Sequence, residues 1–116
     1  MANQKRTVGD TFPPVRGAAL DEDGLMDLPS ADLIELVAVG PKPFGGPIFV
    51  LNPPEDVGDK ASPKGFNWRY DLEEGDIAEA GNYAPWLVVT WDSTTTPPEV
   101  EWVLGGDVIE VQAAPR

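Results

Sequence analysis

Apolar positions along this chain recur at short range and stop before helical spacing can establish itself. Gly65 to Tyr70 alternates, with Phe66, Trp68 and Tyr70 on one side and Asn67 and Arg69 on the other. That is the period of a half-buried strand. Tyr83 to Trp91 is the longest such stretch and predicts the longest strand. Ala31 to Val39 is a nearly continuous apolar run ended by Gly40-Pro41. Its β-branched residues Ile34, Val37 and Val39 favour strand over helix. Within it Glu35 falls where an inward apolar residue is expected, which points to a shifted frame or a bulge. Pro47 to Leu51 predicts another strand, closed by Asn52-Pro53-Pro54, and Val100–Leu104 and Val108–Val111 predict two more, divided by Gly105-Gly106.

The connections carry turn chemistry. Thr7 to Ala19 is extended, because each proline in Thr11-Phe12-Pro13-Pro14 pushes its predecessor out of helical geometry. Asp21-Glu22-Asp23-Gly24 is a turn. Pro54 to Pro63 reads as a loop, Leu72 to Ala80 as an acidic connection with room for one helical turn, and Asp92 to Pro98 as a polar link. Gly75-Asp76 followed by Ala80-Gly81-Asn82-Tyr83, just ahead of the longest strand, has the order of a tyrosine corner. In that motif the phenol bonds back to backbone a few residues upstream and pins a turn. Asp76, Gly81 and Tyr83 are its candidate residues. Some seven short strands at this spacing predict an all-β fold, an antiparallel immunoglobulin-like sandwich. We expect a polar arm over residues 1–6 and one domain over 7–116.

Composition narrows function mainly by exclusion. Thirteen prolines and twelve glycines in 116 residues fit short strands and many turns. The chain has no cysteine and no histidine. That removes disulfides, thiolate or imidazole zinc sites, histidine-dependent triads and cysteine nucleophiles. Twenty acids against eight bases give a net charge of −12. No cluster of lysine and arginine offers a surface to nucleic acid or anionic membrane. Met1 to Arg6 lacks the apolar stretch of a signal peptide. We therefore expect a protein made in a cytoplasm and kept there until it assembles.

Several residue groups invite a chemical reading. Asp21-Glu22-Asp23-Gly24 has the flavour of a calcium loop but lacks alternating ligands and a closing glutamate, so a solvated turn is the simpler reading. Glu73, Glu74 and Asp76 are likewise read as local turn-formers before ion ligands. A carboxylate pair for glycoside hydrolysis needs a deep cleft lined by aromatics. No enzyme activity, cofactor or resident metal is expected. Trp68 and Trp91 are expected in the core; Trp86 and Trp102 are ambiguous, with burial the expected outcome and a contact surface the alternative. Lys5, Arg6, Pro43, Phe44 and Trp102 are the candidate partner contacts. The first pair lies in the polar arm, Pro43 and Phe44 in the proline-rich stretch Gly40 to Pro47, and Trp102 on a late strand.

The order Val8-Gly9-Asp10-Thr11-x-Pro13-Pro14-Val15, an acidic glycine turn, Asp27-Leu28-x-x-Ala31, Gly65-Phe66-x-Trp68, Gly75-Asp76 and Ala80-Gly81-x-Tyr83 resembles the immunoglobulin-like domain of tailed-phage virion proteins. It is similar to the N-terminal domain of upper baseplate proteins and to small minor tail proteins. The likeness spans Val8 to Val111, though Gly40 to Pro63 is richer in proline than that pattern. It implies a non-enzymatic building block of a virion, placed at the tail tip or baseplate and present in several copies, that contacts other tail proteins. Decoration of the capsid, against the major capsid protein, is the alternative. A carbohydrate-binding module that adheres to host glycans is a third.

Overall fold

The computed structural model describes residues 4–22, 24–56 and 65–114, without the side chains of 52–56. It is all-β, with one 3-10 turn at Leu28–Ser30 and no α-helix among the described residues. The strands are β1 (Gln4–Thr7), β2 (Val15–Gly17), β3 (Leu20–Asp21), β4 (Gly24–Leu25), β5 (Leu33–Val39) and β6 (Phe44–Pro47). They continue with β7 (Phe49–Asp56), β8 (Gly65–Tyr70), β9 (Gly81–Asp92), β10 (Glu99–Leu104) and β11 (Ile109–Gln112).

Six of them form a curled sheet in the order β1-β11-β9-β5-β6, with β10 also paired to β9. A three-stranded sheet, β2-β8-β7, lies against it, and β3-β4 is a separate hairpin. The two larger sheets share one core. Ile34, Leu36 and Ala38 of β5, Tyr83, Leu87 and Val89 of β9, and Ile109 and Val111 of β11 meet Val15 of β2 and Trp68 and Tyr70 of β8. The arrangement is sandwich-like, but not purely antiparallel as the sequence leads one to expect. β1 runs parallel to β11, with Arg6 opposite Val111.

Gln4 to Arg6, expected in a polar arm, are thus part of the sheet. Arg6 is the reason. Its side chain is buried, and the guanidinium donates to the carbonyl oxygens of Pro13 and Pro14, the latter at 2.9 Å. A buried cation is thus satisfied by backbone carbonyls, with the charge of Asp10 also acting on it.

β9 organises the large sheet because it holds two neighbours on one edge. Val111 to Ile109 pair with its first residues, Gly81 to Tyr83, and Leu104 to Glu99 with its later ones, Trp86 to Asp92. Pro85 sits at the handover. A proline cannot donate to a ladder and is normally excluded from central strands. Here its missing N–H falls in the gap between two partner strands, while its carbonyl accepts the Gly105 amide at 2.7 Å. Gly105 then lies so close to the core that a Cβ would meet the Trp68 ring at 2.9 Å. The Trp68 indole donates to the Gly105 carbonyl at 2.8 Å, tying the smaller sheet to the switch point.

Other expectations need correcting. β5 has a regular frame, pairing residue for residue from Leu33↔Thr90 to Val39↔Ala84, so no bulge accommodates Glu35. Ile34, Leu36 and Ala38 point inward, and Glu35 points out. The proline-rich stretch is a hairpin arm, since Phe44 to Pro47 pair with β5 as β6. Asn52-Pro53-Pro54 do not end β7; they fall where its register against β8 shifts, between Val50 and Glu55. The rest of the expected loop, from residue 57 to 63, lies outside the described residues. Leu72 to Ala80 holds a turn and no helix. The Asp76 carboxylate accepts the Glu73 amide at 2.8 Å, and Gly75 adopts φ +89°. A side chain that captures a local amide competes with helix formation.

Candidate functional site

The outward face of the six-stranded sheet is built from alternate residues of three adjacent strands. On β5 these are Leu33, Glu35, Val37 and Val39; on β9, Ala84, Trp86, Val88 and Thr90; on β10, Val100, Trp102 and Leu104. Register puts them in rows: Leu33-Thr90-Val100, Glu35-Val88-Trp102 and Val37-Trp86-Leu104. The inward residues of β5 from Ile34 to Ala38 and of β9 from Tyr83 to Val89 are buried, so this stretch of the sheet's other face is packed on the core. An antiparallel sheet with one face on the core normally shows polar residues on the other. Here Leu33, Val39, Val100, Trp102 and Leu104 are each 46–54% exposed.

Beside this strip the surface dips. Gly45 and Gly46 of β6 carry no side chains, and a shallow depression opens between Pro43, Phe44, Val37, Val88 and Glu35. Glu35 is the ionisable group within these rows. The arrangement offers van der Waals contact around one carboxylate. It has no deep cleft and no paired acid and base within reach of a common point, so its chemistry is that of surface contact.

Of the expected partner contacts, the fold brings Pro43, Phe44 and Trp102 to this face or its rim. Pro43 is exposed, and Trp102 is 54% exposed in the middle row. Phe44 is half-buried and packs its ring on Tyr83 and Tyr70, with centroids 5.5 and 6.3 Å apart. It therefore supports the rim from below more than it offers contact. Lys5 is outward on β1 at the far end of the sheet, in register with Glu110. Arg6 is inward, buried, and donates from its two terminal nitrogens to the two proline carbonyls.

Tyr83 opens the inward side of β9 and is fully buried. Its hydroxyl donates to the Glu79 carbonyl at 2.8 Å and accepts the Lys42 amide at 3.3 Å. One phenol thus holds the turn before β9 and the β5–β6 turn together. Gly81 has φ +146°, and a Cβ there would meet the Pro41 ring at 2.6 Å, so glycine lets those two turns close on each other. Asp76 does not touch Tyr83. It accepts from the Tyr70 hydroxyl at 2.8 Å and from the Glu73 amide. Burial first, then the Asp76 hydrogen bond and the charges of Asp76 and Glu73, push the Tyr70 phenol well above its ordinary value.

Trp68 is fully buried and Trp91 half-buried, with its indole donating to Glu101 Oε1 at 2.9 Å. Trp86 lies half-exposed on the outer face. Sequence reasoning misses Asn67, which reads as solvent-facing. It is buried, accepts the Ala19 amide at 2.8 Å and donates to the Ala19 carbonyl at 2.9 Å and the Met26 carbonyl at 3.3 Å. It closes the base of the β3–β4 hairpin over β8. The signal available was a single amide side chain between two aromatics, Phe66 and Trp68, of which Trp68 is core.

Compared with known protein families, with characterised proteins and with solved structures, the chain shows no match.

Proposed function

We propose that the protein is a non-enzymatic structural component of a tailed-phage virion, an immunoglobulin-like module of the tail tip or baseplate that works by protein–protein contact. The observation that carries this reading is the apolar outer face of β5, β9 and β10. A contiguous apolar patch of this kind marks a contact surface in soluble proteins. Two sheets on one core, and a tyrosine bonded to a carbonyl four residues upstream, support the immunoglobulin-like part of the reading. The tail location rests on the order of sequence motifs from Val8-Gly9-Asp10 to Ala80-Gly81-x-Tyr83. A net charge of −12 favours a place outside the packaged DNA.

Contact with protein is favoured over contact with glycan. The most exposed aromatics are Phe12 ahead of β2, Phe49 on β7 and Trp102 on β10, and Phe49 lies under the Arg69 guanidinium at 4.7 Å. Phe12 and Phe49 come from separate segments, while Trp102 shares the outer face with half-exposed Trp86 on the neighbouring row, set among aliphatic side chains that suit a protein surface better than a sugar ring. In a symmetric ring, repeated weak contacts through the outer face add by avidity.

Electron microscopy of particles assembled without the protein tests the placement. A missing density at the tail is the expected result, and particles that keep every tail density overturn it. Several hundred copies on the head would move the protein to capsid decoration. A Val88→Lys variant that melts like the parent is expected to be left out of particles; incorporation at the parental copy number would refute the role of this face.

A further inference from the structure

Every sheet has edges, and natural proteins blunt them with proline, bulges, short strands, charged side chains or inward-pointing charges. Most edges of this fold carry such devices along their length, and β10 carries them only in part. β1 is four residues long and carries Lys5; β2 is three residues long and follows Pro13-Pro14. β6 contains Gly45, Gly46 and Pro47, and β7 contains Pro53 and Pro54. β10 runs for six residues, Glu99-Val100-Glu101-Trp102-Val103-Leu104, with no proline, glycine, lysine or arginine; its guards are Glu99, at the register shift that opens the strand, and inward-pointing Glu101, whose carboxylate is taken by the Trp91 indole, so Trp102 to Leu104 are left unguarded. Among the described residues it pairs with β9 alone. Its other edge presents a row of backbone donors and acceptors beside half-exposed Val100, Trp102 and Leu104.

We propose that a second copy of this chain pairs along that edge, antiparallel, about a two-fold axis beside Trp102. The register follows from side chains. An axis normal to the sheet keeps both apolar faces on one side, and directly opposed residues then share a face. Centred on Trp102, the pairing sets Trp102 against itself, Val100 against Leu104 of the second copy, and Glu101 against Val103. No carboxylate opposes another. Centred on Glu101, it would set two glutamates face to face, which is destabilising. A slip of one residue would place Trp102 against Glu101 and turn the two apolar faces to opposite sides.

Glu101 is further removed from the contact by its own strand pair. The Trp91 indole holds its carboxylate at 2.9 Å, back across β9. The outer rows Leu33-Thr90-Val100 and Glu35-Val88-Trp102 then run on into the second copy as one wider apolar face, and Glu35 stays in water. Packing the outer faces against each other instead would bury two unpaired Glu35 carboxylates.

The contact is smaller than the ~800 Å² per partner of a standard interface, so the dimer is weak and matters where copies are concentrated. Each copy carries −12, and screening that repulsion tightens the pair. The inference rests on reading the protein as a contact module, and not on which particle contains it.

Sedimentation equilibrium of the full chain up to about 1 mM, in about 50 mM and about 500 mM NaCl, reads the association directly. A reversible monomer–dimer equilibrium that strengthens with salt is expected. Trp102→Lys, melting like the parent, is expected to weaken it roughly thirtyfold or more. Because the chain has no cysteine, single cysteines report the register. A mixture of Val100→Cys and Leu104→Cys proteins is expected to form the mixed disulfide in preference to either symmetric one, and Glu101→Cys is expected to cross-link poorly with itself. A strict monomer overturns the proposal, as does a Glu101→Cys dimer that outpaces the mixed pair. A dimer lost in Val88→Lys but kept in Trp102→Lys would place the copies face to face and refute edge pairing. A parent chain that stays strictly monomeric yet is incorporated into particles would refute this inference and leave the proposed function standing.

Discussion

Tyr83→Phe isolates the hydroxyl from the ring. The ring stays where it is, fully buried and packed on Phe44 with centroids 5.5 Å apart. What disappears is the donation to Glu79 and the acceptance from Lys42, at 2.8 and 3.3 Å. A net intramolecular hydrogen bond contributes about 1 kcal/mol. The Lys42 bond is long, and both backbone partners belong to exposed residues that water can reach again. The pair together is therefore worth about 1–1.5 kcal/mol, at the low end for two bonds.

Unfolding entropy of about 2.1 cal/mol/K per residue converts 1 kcal/mol into about 4 °C for a chain of this length. The variant should melt about 4–6 °C below the parent by calorimetry. Its urea midpoint should fall with an unchanged slope, because the buried surface is the same. The Lys42 amide should also exchange faster with solvent, since it loses its acceptor. A melting temperature within about 1 °C of the parent would refute the reasoning. The two turns would then be held by ring packing alone, and the phenol would not be the pin.

Asn67→Ala should do more damage at a position that looks like surface in the sequence. It strands the buried Ala19 amide, while the Ala19 and Met26 carbonyls keep the Met26 and Leu28 amides, for a loss of about 1–3 kcal/mol, read as a melting temperature lower by about 4–12 °C. A loss under about 1 kcal/mol would mean that water replaces the amide there. The Tyr70 phenol gives a pH prediction. Its folded pKa lies above the unfolded value of about 10, so its contribution is fully present below pH ~10 and is lost as pH rises through the folded value. In a Tyr83→Phe background, with one tyrosine left, phenolate absorbance should appear only above pH ~10; adding Asp76→Asn should bring it to lower pH. Titration at the ordinary value in both proteins would contradict the burial and the Asp76 bond.

The strands visible in the sequence are those whose partners leave an alternating imprint. β8 and β9 alternate because one side of each meets the core, and Gly105-Gly106 splits β10 from β11 as a breaker should. β1 leaves no imprint. Gln4-Lys5-Arg6-Thr7 is polar throughout, its partner lies a hundred residues away, and the carbonyls that make Arg6 buriable come from Pro13 and Pro14. β6 is hidden for a different reason. Phe44-Gly45-Gly46-Pro47 has almost no side-chain pattern, and pairing with β5 alone makes it a strand. Asn67 is misread because the segment that buries it, Ala19 to Met26, is remote in sequence.

The misplacement of Glu35 has the same origin as the proposed function. β5 reads as apolar on both sides because it is, with Ile34, Leu36 and Ala38 inside and Leu33, Val37 and Val39 outside. A strand with that composition normally lies between two layers. Sequence reasoning therefore expects an apolar residue at 35 and explains the glutamate as a defect of frame. The structure keeps the frame and leaves one layer missing. On the proposed reading, Glu35 is the polar residue that keeps this face in water until a partner covers it. The odd residues of β9, from Tyr83 to Val89, are committed to the core, and the even ones, Trp86 and Val88, are not. If this face is the contact surface proposed, strand parity separates stability from contact, and the even positions of β9 and β10 can change with the partner while the fold stays fixed.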